Sequence, residues 1–286
     1  MKERDRGLGG FRFRTMDPIS EDARSLTHSL FLVRGVWNTV KLAKSASNFA
    51  LGKIQMADRK LRFWGLRGGL LLLLAAPIGL GIGLLDSGTG FAVGAVLTGS
   101  GFVLVMIGVG YWLDAGNIRK GLEGEQSVAS ELSYLSDEFL LLNDVMLPGA
   151  RGNIDHVLVG PTGVFVFETK NYSGKYVCYG DRWFLQGRRQ KYDVKSVSVQ
   201  AKNNADTLGG LLHTSGFTAD VNPVIVFTHP AVQLWLHHPT VPVLKGGTVR
   251  NFVLSQRPGF QITPVYAEKI ANKVLANDRV RVPVFA

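Results

Sequence analysis

The chain has 286 residues, of which 46% are apolar and 19% charged, with a formal net charge of +10. That length allows one sizeable domain plus appendages. Its single cysteine, Cys178, excludes an intrachain disulfide and a Cys-rich zinc site and fits a reducing compartment. The positive charge is uneven. Residues 1–67 hold 14 Lys/Arg against 6 Asp/Glu, residues 68–118 hold two acids and no base, and residues 119–286 hold 18 Lys/Arg against 14 Asp/Glu. A basic excess placed just before an apolar block suits anionic lipid headgroups, each nearby Lys or Arg contributing on the order of 1 kcal/mol.

In chain order, residues 1–62 read as a basic arm followed by an amphipathic helix. Leu26, Leu30, Val33, Trp37 and Val40 recur at three- and four-residue steps, with Arg34, Asn38, Lys41 and Lys44 elsewhere on the wheel. Such a helix suits a cytoplasmic membrane interface or docking on the soluble domain. Residues 63–113 predict a two-helix transmembrane hairpin. Gly68–Leu85 and Phe91–Leu113 each approach the roughly 20 apolar residues that cross a hydrocarbon core, and the DSGTG linker makes them antiparallel neighbours. Neither shows the polar stripe of a soluble helix. Pro77 is tolerable in such a span, and Ala75, Gly79 and Gly83 predict a close-packing seam. Lys53, Arg59, Lys60, Arg62 and Arg67 precede the first span and Arg119 and Lys120 follow the second, so both termini are expected in the cytoplasm. The first long apolar run starts only after some 65 residues, so a cleaved signal is not expected. The expected location is the cell membrane.

Residues 114–255 have the composition of a globular domain. Leu122–Leu135 reads as a helix with Val128, Leu132 and Leu135 on one face. Strands are expected near 139–143, 153–159 and 164–170, then short strands in a basic stretch. A helix around 194–212, a strand at 223–228 and a short element at 248–254 follow. Residues 256–286 hold a final helix at 266–276, started by Thr263 and Pro264, and a tail. The order predicts an α/β (α+β) mixed sheet flanked by helices.

Gly160-Pro161-Thr162-Gly163 is turn chemistry between two alternating β runs. If Val159 pairs with Val164, Asp155 lies opposite Glu168, where two like charges are destabilising. Alternation puts Glu168 and Lys170 on the same face with Val166, while Phe165, Phe167, Ile154 and Leu158 form a core side. Two carboxylates and a lysine at one hairpin end admit two accounts. Lys170 neutralises both acids, or the acids hold Mg²⁺ or Mn²⁺, which bind through one or two carboxylates together with water and phosphate oxygens. A register slip of one residue would undo the arrangement. Glu125 shares a helix face with Val128 and Leu132 and should point inward, where a lone carboxylate needs a partner; a helix-start acid is the other account.

The stretch from about Gly121 to Phe252 resembles the nuclease-related domain family (NERD) of the PD-(D/E)xK nuclease superfamily. The resemblance rests on GLEGE at Gly121–Glu125, IDHVLVGPTGVFVFETKNYSG at Ile154–Gly174, Trp183, Gln200 and PVIVF at Pro223–Phe227. It implies a restriction-endonuclease-like fold. It also implies metal binding by Asp155, Glu168 and Glu125, catalysis by Asp155, Glu168 and Lys170, and a supporting role for Gln200. The Asn-Pro that usually opens the Gln-bearing helix is replaced by Ser196 and Val197. The implied function is a membrane-anchored, metal-dependent nuclease-like protein acting on DNA or RNA, or a non-catalytic nuclease-fold binding module.

Arg182, Arg188, Arg189, Lys191, Lys195 and Lys202, with Trp183 and Tyr192 among them, suit a nucleic-acid track, an anionic-lipid contact or a solvated face. His237 and His238 lack metal-ligand spacing, and His156 is expected on the face opposite Asp155, in a structural role.

Overall fold

The computed structural model describes residues 41–44, 48–84, 86–150 and 152–279. The basic arm and most of the amphipathic helix expected within residues 1–62 fall outside the described residues. The part that can be compared differs: Lys41–Lys44 is a strand, β1.

Two long helices follow, α1 (Asn48–Gly83) and α2 (Ser87–Leu132). The Asp86 carboxylate caps α2 by accepting the Gly88 and Thr89 amides, each at 3.2 Å. The helices run antiparallel in contact. Arg119 pairs with Asp58 at 2.7 Å, the Lys60 ammonium sits 4.9 Å from the Tyr111 ring centre, and Gly68 meets Gly101. A Cβ on Gly68 would lie 2.7 Å from the Gly101 carbonyl oxygen and 2.8 Å from the Val105 nitrogen. The closest approach is therefore at Gly68 and Gly101. Ala75 of the expected seam is buried, whereas the surroundings of Gly79 and Gly83 lie outside the described residues. Large apolar side chains line the outside of the pair, including Leu73 at 77% and Phe91 at 81% exposure. Among the described residues one helix, Gly88–Leu132, is long and apolar enough to cross a membrane; the most apolar stretch has a mean hydropathy of 2.1 and is 11% buried.

The helix expected over 122–135 is the last part of α2, with no break after the apolar stretch. At 1.5 Å per residue, this 46-residue helix is roughly 70 Å long. Its final turns carry Val128 and Leu132 onto a six-stranded mixed sheet, ordered β1, β2 (Leu140–Val145), β3 (Ile154–Gly160), β4 (Gly163–Lys170), β8 (Val221–Phe227) and β10 (Val243–Lys245). β2, β3 and β4 are antiparallel neighbours, whereas β1 joins β2, and β8 joins β4 and β10, in parallel. The Gly160–Gly163 turn sets the expected register, Val159 opposite Val164 and His156 opposite Phe167. Gly160 has no room for a side chain, since a Cβ would fall 2.2 Å from the Phe139 ring.

Both faces of this sheet are buried, so the expectation of one core side is corrected. Leu158, Phe165 and Phe167 pack under α2 and α4 (Val249–Ser255). Val157, Val159, Val164 and Val166 pack under α3 (Val197–Thr214) and α5 (Pro264–Asn277), and Ile154 joins that second cluster. Doubly covered strands read as nearly continuous apolar runs, which is how β3 and β4 read. Glu131 of α2 accepts the Gly247 and Arg250 amides at 2.9 and 3.1 Å, fixing the start of α4.

A second mixed sheet lies between β4 and α3 in sequence, completed by a later strand. Its order is β7 (Lys191–Val194), β6 (Arg182–Gln186), β5 (Gly174–Tyr179) and β9 (Val232–His237). Tyr176, Cys178, Trp183 and Val232 pack inward against Ile225, Phe227, Val197 and Ala201.

Candidate functional site

The site forms where β3 and β4 separate at the end of their shared ladder. Beyond His156 and Phe167, the Asp155 carboxylate turns back to accept the Thr169 amide at 2.7 Å. β4 is held against β8 through Lys170, opposite Phe227, so Glu168 and Lys170 remain on a regular strand. Alternation brings both to one face, and there the Lys170 Nζ donates directly to Glu168 Oε1. Glu168 is 1% exposed and the Lys170 side chain 14%. The second Glu168 oxygen accepts from Asn204 Nδ2 at 3.1 Å.

Glu125 reaches the same neighbourhood from α2. Two contacts seat that turn: Asn171 Nδ2 donates to the Lys120 carbonyl at 2.7 Å, and Gly124 leaves no space beside Thr228 and Asn171. Burial, then the charges of Asp144 and Glu168, raise the Glu125 carboxyl to about 7. Asp155 is raised well above the usual carboxylate range by burial and by Glu168 and Glu125. Burial also raises Glu168, against the pull of Lys170, Lys195 and Asn204. Burial draws Lys170 downward, but Glu168 and Asp155 together outweigh it and hold the ammonium above its ordinary value. Glu168 raises both Glu125 and Asp155, and a single bonded lysine beside the three acids leaves local negative charge incompletely neutralised.

That donor set fits a hard divalent cation through Asp155 and Glu168, which offer carboxylate oxygens and no soft atoms. It does not form an all-protein cage: among the described residues no three His, Cys, Asp or Glu side chains gather closely enough to hold a metal. Mg²⁺ ordinarily completes its shell with water and phosphate oxygens.

A cleft of ≈ 450 Å³ runs beside α3, lined by Asn153, Lys195, Gln200, Asn203, Asn204 and Thr207 among others, while Asp155, Glu168 and Lys170 lie behind its lining. Gln200 lines the cleft, while Asn204, one turn further on, makes the contact to Glu168. Asn204 was missed because only the packing of α3 on the sheet shows which turn faces Glu168. Ser196 caps α3 by accepting the Val199 amide at 3.1 Å, and Val197 is the first helical residue. The replaced Asn-Pro thus leaves the helix start capped.

The basic cluster divides. Arg188, Arg189 and Lys191 are exposed, Arg182 is 4.0 Å from Asp193, and Lys202 is bonded to Asp181 at 2.9 Å. Trp183 does not belong to a surface track, because it is 1% exposed and donates from Nε1 to Ser198 Oγ at 2.8 Å. His156 is fully buried, with Nδ1 2.7 Å from Asn143 Oδ1, and burial lowers its pKa to about 3.

The family profile described as nuclease-related domain matches residues 120–228. That segment is similar to the nuclease-related domain family. The match begins on α2 five residues before Glu125 and ends one residue beyond β8, enclosing Asp155, Glu168, Lys170 and Asn204. The apolar stretches of α1 and α2 lie before it. No curated protein and no solved structure matches the chain.

Proposed function

We propose that the nuclease-related domain hydrolyses phosphodiester bonds of DNA or RNA with Mg²⁺ or Mn²⁺, while α1 and α2 anchor it on the cytoplasmic side of the cell membrane. The observation that carries the catalytic reading is the Asp155, Glu168 and Lys170 constellation, with Glu168 buried and held by Asn204 of the neighbouring cleft, in a segment similar to nuclease-related domains. Asp155 and Glu168 would hold the cation, with Glu125 adding negative potential from α2. Bound there, such a cation polarises a phosphoryl oxygen and lowers the pKa of an attacking water. The Thr169 amide fixes Asp155 and Asn204 fixes Glu168, so both carboxylates are oriented before substrate arrives. Lys170 presents a compact charge beside the scissile phosphate and stabilises charge that grows in the transition state. Gln200 and Lys195 border the path to that charge.

The direct Lys170–Glu168 bond supports a second reading, in which the lysine permanently neutralises the acid and the fold is a membrane-tethered binding module for nucleic acid or protein. Cleavage of DNA and RNA by the full-length chain in detergent, with Mg²⁺, Mn²⁺ or chelator, separates the two. Metal-dependent cleavage supports the enzyme; binding without cleavage under every metal supports the module.

The membrane reading draws on the exposed apolar faces of α1 and α2 and on the Lys/Arg residues flanking them. A reporter fused at Ala286 should be cytoplasmic and one inserted beside Asp86 external. An external C-terminal reporter would overturn the orientation.

A further inference from the structure

The second sheet has an outward face with a composition unlike the rest of the domain. Pairing puts Tyr179 beside Arg182 and His237, and Val177 between Phe184 and Trp235. These residues share the face turned away from Trp183 and Cys178. Val177 at its centre is 1% exposed, so the surrounding side chains lie over it and present their outer surfaces to solvent. Trp235 is 53% and Tyr179 46% exposed, and the Tyr179 and His237 rings stack 4.6 Å apart and 9° from parallel. Cations stand over the rings: Lys175 is 3.1 Å from the Trp235 centre, Lys191 5.3 Å from Tyr179 and Arg182 5.3 Å from Phe184. Arg188 and Arg189 extend the charge into the β6–β7 connection, and Asp193 is the acid on these strands.

From this pattern we infer that the outward face of the β7-β6-β5-β9 sheet binds single-stranded nucleic acid, with bases stacking on Trp235 and Tyr179 and phosphates meeting Lys175, Arg182 and Lys191. The inference deepens the nucleic-acid reading of the nuclease-related domain and rests on it. Half-exposed aromatic rings with cations over them suit unpaired bases, which take the ring face as the cation turns to a phosphate, whereas a duplex keeps its bases stacked internally. An anionic membrane would meet the same charges and the same exposed Trp235, and a face serving only that purpose would leave oligonucleotide binding unchanged in the double alanine variant below. The location is consistent with substrate delivery. β5 follows Lys170 after three residues, and β7 leads directly into Lys195 at the cleft.

The test uses the full-length chain in detergent with chelator present, so binding is measured without cleavage. The probes are a fluorescent oligothymidylate of about 20 nucleotides and a duplex of the same length. Wild type should bind the single strand more tightly than the duplex. Trp235→Ala with Tyr179→Ala should weaken single-strand binding by roughly tenfold or more, with unchanged melting temperature and duplex affinity, while Trp235→Phe with Tyr179→Phe retains most of it. Wild-type affinity in the double alanine variant, or equal affinity for duplex and single strand, overturns the proposal. Absence of cleavage in the separate metal assay removes the catalytic reading and leaves this result standing.

Discussion

Lys170 and Glu168, two positions apart on β4, meet in a direct Nζ to Oε1 hydrogen bond while Asn204 holds the other Glu168 oxygen at 3.1 Å. Glu168 is thus positioned from its own strand and from α3. Asp155, anchored to the Thr169 amide, faces it without a basic hydrogen-bond partner of its own among the described contacts. This asymmetry sets the energetic consequences of changing each residue.

Asp155→Asn keeps an oxygen for the Thr169 amide and removes a half-buried carboxylate near Glu168 and Glu125. Metal-free stability of the full-length chain should be unchanged or rise by about 1 kcal/mol. The same variant should lose stabilisation by Mg²⁺ or Mn²⁺, which at about 100-fold excess over Kd amounts to about 2.7 kcal/mol for a binding-competent site. Melting curves with and without metal check both halves. A wild-type melting temperature indifferent to metal would leave Lys170 as the sole neutralising group.

Glu125 gives a pH signature. Its carboxyl is raised from 4.5 to about 7 in the folded protein, so the folded state holds a proton that the unfolded chain has released. Its contribution to metal-free stability is therefore full below pH 4.5, declines as pH rises through that window, and levels off above about 7. Glu125→Gln should gain stability relative to wild type across the same window, reaching about 2–3 kcal/mol above pH 7, with no gain below pH 4.5. Denaturation of both proteins at several pH values measures the difference. A pH-independent difference would show that Glu125 keeps an ordinary pKa.

The helix pair can be tested by two neighbouring glycines. Gly68→Ala would place a Cβ 2.7 Å from the Gly101 carbonyl oxygen, whereas Gly69 has nothing within 4 Å of a Cβ. Gly68→Ala should cost about 1–3 kcal/mol by forcing α1 and α2 apart, and Gly69→Ala should be neutral or slightly stabilising. Thermal unfolding in detergent compares them. Equal effects would contradict the close approach.

Several of these features were readable from local chemistry. The Gly160–Gly163 turn specified the register of β3 and β4 as far as His156 opposite Phe167, because a tight turn leaves little freedom to slip, but the expected pairing of Asp155 with Glu168 falls beyond the ladder, where Asp155 instead accepts the Thr169 amide. Thr263 and Pro264 marked the start of α5, where the Thr263 side chain does accept the Tyr266 amide at 3.3 Å. What stayed hidden depends on partners distant in sequence. The outward face of the second sheet joins Val177 to Trp235, nearly sixty residues apart, through a parallel pairing with no local signal. The burial of Trp183 and the choice of Asn204 follow from the packing of α3 on both sheets. The unbroken course of α2 was obscured by the change at Asp114 from apolar to mixed composition, which resembles a boundary although the helix continues.

Cleavage by Lys170→Ala tests the central claim most directly. Lys170 adds transition-state stabilisation, whereas Asp155 and Glu168 would hold the cation, so the account separates its effect on rate from its effect on metal binding. The full-length wild-type chain in detergent should cleave DNA or RNA with Mg²⁺ or Mn²⁺ and stop with chelator. Lys170→Ala should lose roughly 100-fold or more in rate while retaining metal-dependent stabilisation, and Lys170→Arg should recover little, because a planar fork does not replace a compact ammonium. A Lys170→Ala protein that cleaves as fast as wild type would contradict the account, as would a wild-type protein that binds nucleic acid and cleaves none with any metal.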